Sequence, residues 1–126
     1  MEWLKDTYRI LYSRIDLDNS RYGKEGIEFI YQELLNYKEN GNLFVSLGED
    51  QTYDIKNFIG LVTDIQILNN KFVFQIHELK PEIFNMLKIN RNDYEIDIYI
   101  EGVMQDKIRV DRVSSILSIV RRINGE

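Results

Sequence analysis

The reactive side chains of this chain are few. Among 126 residues there is one histidine, His77, and no cysteine. Without cysteine there is no disulfide, no thiolate metal ligand and no sulfur nucleophile. A single histidine also rules out a metal site built from several histidines of one chain. As a general base, His77 would need a nucleophile in reach and normally an orienting carboxylate. Its neighbour Glu78 points to the opposite face of any strand that holds both. None of serines 13, 20, 46, 114, 115 and 118 lies in a Gly-x-Ser-x-Gly elbow. Asp16-x-Asp18-x-Ser20 opens like a calcium loop, but Arg21 stands where the loop needs Gly and Ile27 where it needs Glu. A polar interhelix turn explains that run. Gly23 and Gly26 bracket Lys24-Glu25 without the Gly-Lys-hydroxyl ending of a phosphate loop. Catalysis by carboxylates alone, with Mg²⁺, has no support at short spacing. The expectation is a non-enzyme with no catalytic residue, no cofactor and no metal.

Two groups of acids and aromatics are candidates for contact with a partner. Glu49, Asp50 and Asp54 flank Tyr53 in a loop, where an aromatic among acids suits protein recognition. Glu95 and Asp97 share a strand face with Tyr99 and Glu101. Lys107, Arg109 and Arg112 on the expected return strand offer cross-strand charge pairs, the plainer reading of this second group. The candidate site is therefore Glu49, Asp50, Tyr53, Asp54, Glu95, Asp97 and Tyr99, and the expected partner is another protein.

The net charge of −5 agrees with that choice. An acidic surface steers a protein towards a basic partner, whereas duplex nucleic acid calls for a basic footprint. A second reading is a small barrel that stacks single-stranded nucleic acid on exposed tyrosines, with Tyr22, Tyr37, Tyr53 and Tyr99 as platforms. Lys107, Arg109, Arg112, Arg121 and Arg122 would supply its charge. The first reading, a small acidic inhibitor, immunity-type or assembly-adaptor protein, requires none of this.

The elements that would position these residues follow from apolar spacing. Leu4, Tyr8, Leu11, Tyr12 and Ile15 fit a helix over 3–15. Ile27, Ile30, Tyr31, Leu34 and Leu35 fit a second over 25–39, stopped at Asn40-Gly41. A short connection makes the two an antiparallel hairpin over 1–41. The β-rich part, 42–126, starts with a strand at 43–47. Strands at 58–68 and 71–79 turn at Asn69-Asn70, since Asn tolerates positive φ. Pro81 opens a short helix to Lys88. Strands follow at 94–100 and 107–113. For 114–123 the Ser cap and terminal arginines favour a helix, while its β-branched residues suit a strand. With the helix, 58–90 and 94–124 echo each other as ββα units.

The expected fold is one α+β domain: a helical hairpin, then an antiparallel sheet of four to five strands carrying one or two short helices. The alternative is a five-stranded barrel like the oligonucleotide-binding fold, with the short helix between its third and fourth strands. Strand 43–47 at a sheet edge would let two copies pair as a homodimer.

At 44% hydrophobic and 29% charged residues the chain reads as an ordinary globular protein. Its start lacks a signal pattern and no segment reaches the ~20 apolar residues of a membrane span, so a cytoplasmic protein is expected. Eighteen isoleucines, eleven asparagines and no alanine point to an AT-rich genome, bacterial or viral. The hairpin opening Ile59-Gly60-Leu61-Val62-Thr63 resembles those of small viral and prophage proteins. A further alternative is a phage or prophage structural or accessory protein.

Overall fold

Runs of apolar residues recur along this chain, and more of its described residues become strand than helix. The computed structural model describes residues 9–18, 21–48, 54–104 and 108–123. In chain order its elements are β1 (Arg9–Tyr12), α1 (Gly23–Glu39), β2 (Phe44–Leu47), a single 3-10 turn (Ile55–Asn57), β3 (Phe58–Leu68), β4 (Lys71–Glu78), α2 (Pro81–Met86), β5 (Tyr94–Asp97), β6 (Ile100–Met104), β7 (Ile108–Val113) and β8 (Ile116–Arg121).

Six strands form one sheet in the order β1-β4-β3-β2-β8-β5. The β2–β8 pair is parallel and the others are antiparallel. The two end strands then meet. Ser13 and Ile96 form a parallel bridge, and the Arg14 amide donates to the Ile96 carbonyl at 2.7 Å. The sheet therefore curls into a nearly closed barrel. Strands β6 and β7 pair only with each other and form a two-stranded arm outside it.

The longest strands of the barrel are those of the β3–β4 hairpin. Its turn residues Asn69 and Asn70 have φ of 52° and 64°, the left-handed pair that a two-residue turn needs to match strand twist. Helix α1 buries Ile27, Ile30 and Leu34, spaced three and four apart on one face. They join Leu43, Val45, Phe72, Phe74, Ile96, Leu117 and Ile119 in one continuous core. Full burial of each such side chain stabilises the fold by roughly 1.5–3 kcal/mol. After the last turn the chain leaves the helix through Gly41 at φ 68°.

The barrel seam is held by polar groups. Ser13 is fully buried. Its hydroxyl donates to the Ile15 carbonyl at 2.9 Å and accepts from the Phe72 amide at 3.0 Å. Next to it, Arg14 Nε reaches Glu95 at 2.6 Å, and Arg14 Nη2 donates to the Arg121 carbonyl at 3.2 Å. One guanidinium thus ties the end of β1 to β5 and β8.

Several expectations are corrected here. Residues 9–12 are a strand where the expected first helix should run, so the described residues contain no N-terminal helical hairpin; the rest of that expected helix, 3–8, lies outside them. Its stripe was helical in spacing, but Ile10 and Leu11 are both buried, as happens in a strand covered on both faces. Residues 116–121 are likewise a strand, which breaks the ββα echo. Ile116, Leu117, Ser118 and Ile119 are all buried, because β8 is central, between β2 and β5. The helix-cap signal at Ser114 is real but local. Its hydroxyl accepts from the Ile116 amide at 3.1 Å, a turn that leads into a strand. The sheet has six strands and one parallel pair, rather than four or five antiparallel ones. Nor is 43–47 an edge, since β2 lies between β3 and β8. The barrel alternative fits better, with six strands in place of five; because β1 precedes α1, α2 falls between the fourth and fifth barrel strands in chain order rather than the third and fourth.

Candidate functional site

Residues 94–100 read as one strand but serve two structures. Tyr94–Asp97 enters the barrel and Ile100–Met104 enters the arm, with Ile98 and Tyr99 between them. That break separates the acids expected to act together. Glu95 is buried and paired with Arg14, and Asp97 lies 3.9 Å from the same guanidinium. Both carboxylates are committed to the seam. Glu101 alone keeps the expected cross-strand partner, with Arg112 opposite it in register and Arg112 Nη1 at 3.0 Å from its carboxylate. Both side chains are largely exposed, so this pair contributes little to stability.

Of the loop group, Glu49, Asp50 and Tyr53 lie outside the described residues. Asp54 accepts from the Lys56 amide at 3.0 Å and so caps the 3-10 turn. The tyrosine platforms fare differently from expectation. Tyr22, Tyr37 and Tyr99 are half-buried, and the Tyr37 hydroxyl donates to the Val113 carbonyl at 2.9 Å. Tyr53 is not described. His77 is exposed on β4 opposite Leu61, and none of the described serine hydroxyls bonds to it. Asp16 of the calcium-like run is 3.1 Å from the Lys71 ammonium.

What the structure does bring together lies at the root of the arm. Tyr99, Ile100, Glu101, Arg112 and Ser114 line a cleft of about 180 Å³. Small-molecule sites usually begin near ~300 Å³. This cleft is smaller than that, and the Glu101–Arg112 ion pair and the apolar Ile100 are part of its wall. Tyr99 and Ser114 are locked beside each other, the Ser114 amide donating to the Tyr99 carbonyl at 3.0 Å.

The start of β6 lines the cleft in part, and the strand runs on from it. Its only neighbouring strand among the described residues is β7. The other side of β7 is occupied, since α1 packs against it and the Ile108 amide donates to the Arg21 carbonyl at 2.6 Å. Gly26 faces the arm at ordinary contact distance: a Cβ there would lie 3.5 Å from Val110 Cγ2, and 3.1 Å from Tyr22 Cβ. The arm is thus braced on its β7 side, while on the other side of β6 no strand pairs with it among the described residues. Val103 is 42% exposed and Met104 71% exposed on β6.

Glycine fixes the arm's shape as well. The register shifts between Glu101 and Gly102, and a Cβ on Gly102 would collide with the Arg109 carbonyl oxygen. Only glycine permits this approach. Arg14, Val103 and Met104 escaped the sequence reading. A glycine inside a strand pattern, followed by two apolar residues, was the available sign of an irregular strand.

Fold and site together define a class: an α+β protein with a nearly closed six-stranded barrel and a two-stranded arm whose β6 pairs, among the described residues, with β7 alone, beside a small cleft. Comparison with protein-family models, curated proteins and solved structures finds no match for the chain. No described helix is long and apolar enough to cross a membrane.

Proposed function

We propose that this chain is a small non-catalytic protein-interaction module that engages its partner at the arm. The observation that supports this is the open edge of β6 beside the cleft. An added strand gains main-chain hydrogen bonds along such an edge, and a neighbouring pocket for one side chain supplies selectivity. Val103 and Met104, exposed on that strand, would be covered by the same event. The seven-residue acidic and aromatic site contracts, in this reading, to Tyr99 with Ile100, Glu101, Arg112 and Ser114. The half-burial of Tyr22, Tyr37 and Tyr99 weighs against stacking of single-stranded nucleic acid.

The test is affinity co-purification with the tagged full chain, with and without nuclease, against a Val103→Lys/Met104→Lys variant. Lysine on an edge strand blocks strand addition, and both positions are exposed enough to accept it. The expected result is a stoichiometric protein, a second untagged copy included, that survives nuclease and is lost from the variant. Recovery of nucleic acid alone, or a protein retained equally by the variant, would overturn the proposal.

A further inference from the structure

An open strand edge carries alternating N–H and C=O groups, and an identical strand arriving antiparallel satisfies both sets. It is therefore self-complementary, which is what a two-fold interface requires. Charge normally opposes that here, because two chains of −5 repel. The arm is the exception. Over residues 100–113, Glu101, Asp106 and Asp111 are balanced by Lys107, Arg109 and Arg112, for a net charge of zero. A basic partner has no electrostatic reason to choose this neutral arm, whereas a second copy meets no net repulsion there.

We infer that the occupant of the β6 edge is a second copy of this chain, in an antiparallel arrangement that makes one four-stranded sheet from two arms. A two-fold axis at Val103 sets Val103 against the second copy's Val103 and lays Met104 across the second copy's Gly102. The apolar residues left exposed on the edge are then paired with β-branched and glycine positions that can receive them. An axis at Glu101 would place two carboxylates directly opposite each other, which is unfavourable. The inference rests on the reading of β6 as the binding edge.

Sedimentation equilibrium of the full chain over a wide concentration range tests it. Wild type should approach twice the 15.1 kDa of one chain, and Val103→Lys/Met104→Lys should stay at one chain mass throughout. Because the chain has no cysteine, Val103→Cys introduces the only thiol, and on mild oxidation it should give a covalent dimer. Three results would overturn the inference: a wild type that stays monomeric, a dimer that survives the double substitution, or a Val103→Cys variant that crosslinks no more than a control Ile67→Cys. A monomeric wild type that still holds a nuclease-resistant partner through Val103 and Met104 removes the second copy but leaves the binding edge. A monomer whose co-purification ignores those residues removes both.

Discussion

Removal of one buried oxygen at the barrel seam has a calculable cost. Ser13→Ala deletes a hydroxyl that is fully buried and makes two hydrogen bonds, one from the Phe72 amide and one to the Ile15 carbonyl. The deleted volume is a single atom, so the cavity contribution is small. The main cost is the Phe72 amide, which loses the hydroxyl acceptor in a place water does not reach. A buried donor left in that state costs about 1–3 kcal/mol. Thr63→Ala removes a similar bond, 3.2 Å to the Gln75 carbonyl, but at an exposed position where water replaces the hydroxyl. Its cost should be below ~0.5 kcal/mol. Urea denaturation separates the two. With a slope of roughly 1–3 kcal/mol per molar, Ser13→Ala should lower the midpoint by about 1 M while Thr63→Ala barely moves it. Hydrogen exchange should also accelerate at the Arg14 amide, which closes the barrel onto Ile96. Equal midpoints for the two variants would refute the seam as described.

Three further outcomes follow from single residues. Gly102→Ala cannot be accommodated beside the Arg109 carbonyl, so β6 and β7 should separate while the barrel persists, visible as exchange protection lost only from the arm. Gly60→Ala places a Cβ 2.5 Å from Ile76 Cγ2 and 2.8 Å from Val45 Cγ2, and should cost about 1–3 kcal/mol by overpacking, read as a lower denaturation midpoint. Asn70→Ala keeps the left-handed turn geometry without the asparagine that tolerates it, and should cost about 1–2 kcal/mol in the same assay.

Where local chemistry and tertiary demand agree, the sequence alone was enough. The β3–β4 hairpin is readable because its alternation, its length and its Asn-Asn turn all favour one structure. Helix α1 and the Pro81 start of α2 are readable for the same reason. Legibility fails for segments that must be buried on both faces. Arg9–Tyr12 and Ile116–Arg121 carry no clean alternation, because β1 and β8 sit among other strands of a closing sheet. A run of apolar residues there satisfies helical spacing equally well. Parallel pairing of β2 with β8, which sets Phe44 against the distant Ile116, leaves no local trace at all.

The site was legible only at its root. Tyr99 and the Glu101–Arg112 pair are present in the sequence as an aromatic and complementary charges on adjacent strands. The break at Ile98-Tyr99 is not, because the alternation runs straight through it from Tyr94 to Ile100. That break is what sends Glu95 and Asp97 to Arg14 and frees the arm. Arg14 lies 81 residues from Glu95, too far for any local pattern to connect them.

The arm is the centre of this account, and amide hydrogen exchange of Ile100–Met104 tests it most directly. In dilute chain the outward-facing amides of β6 should exchange rapidly. In concentrated chain, or in complex with a partner recovered by co-purification, protection should appear at β6, with the outer face of β4 around Gln75 and His77 unchanged. Protection that arises elsewhere while β6 stays open would contradict the arm as the binding element.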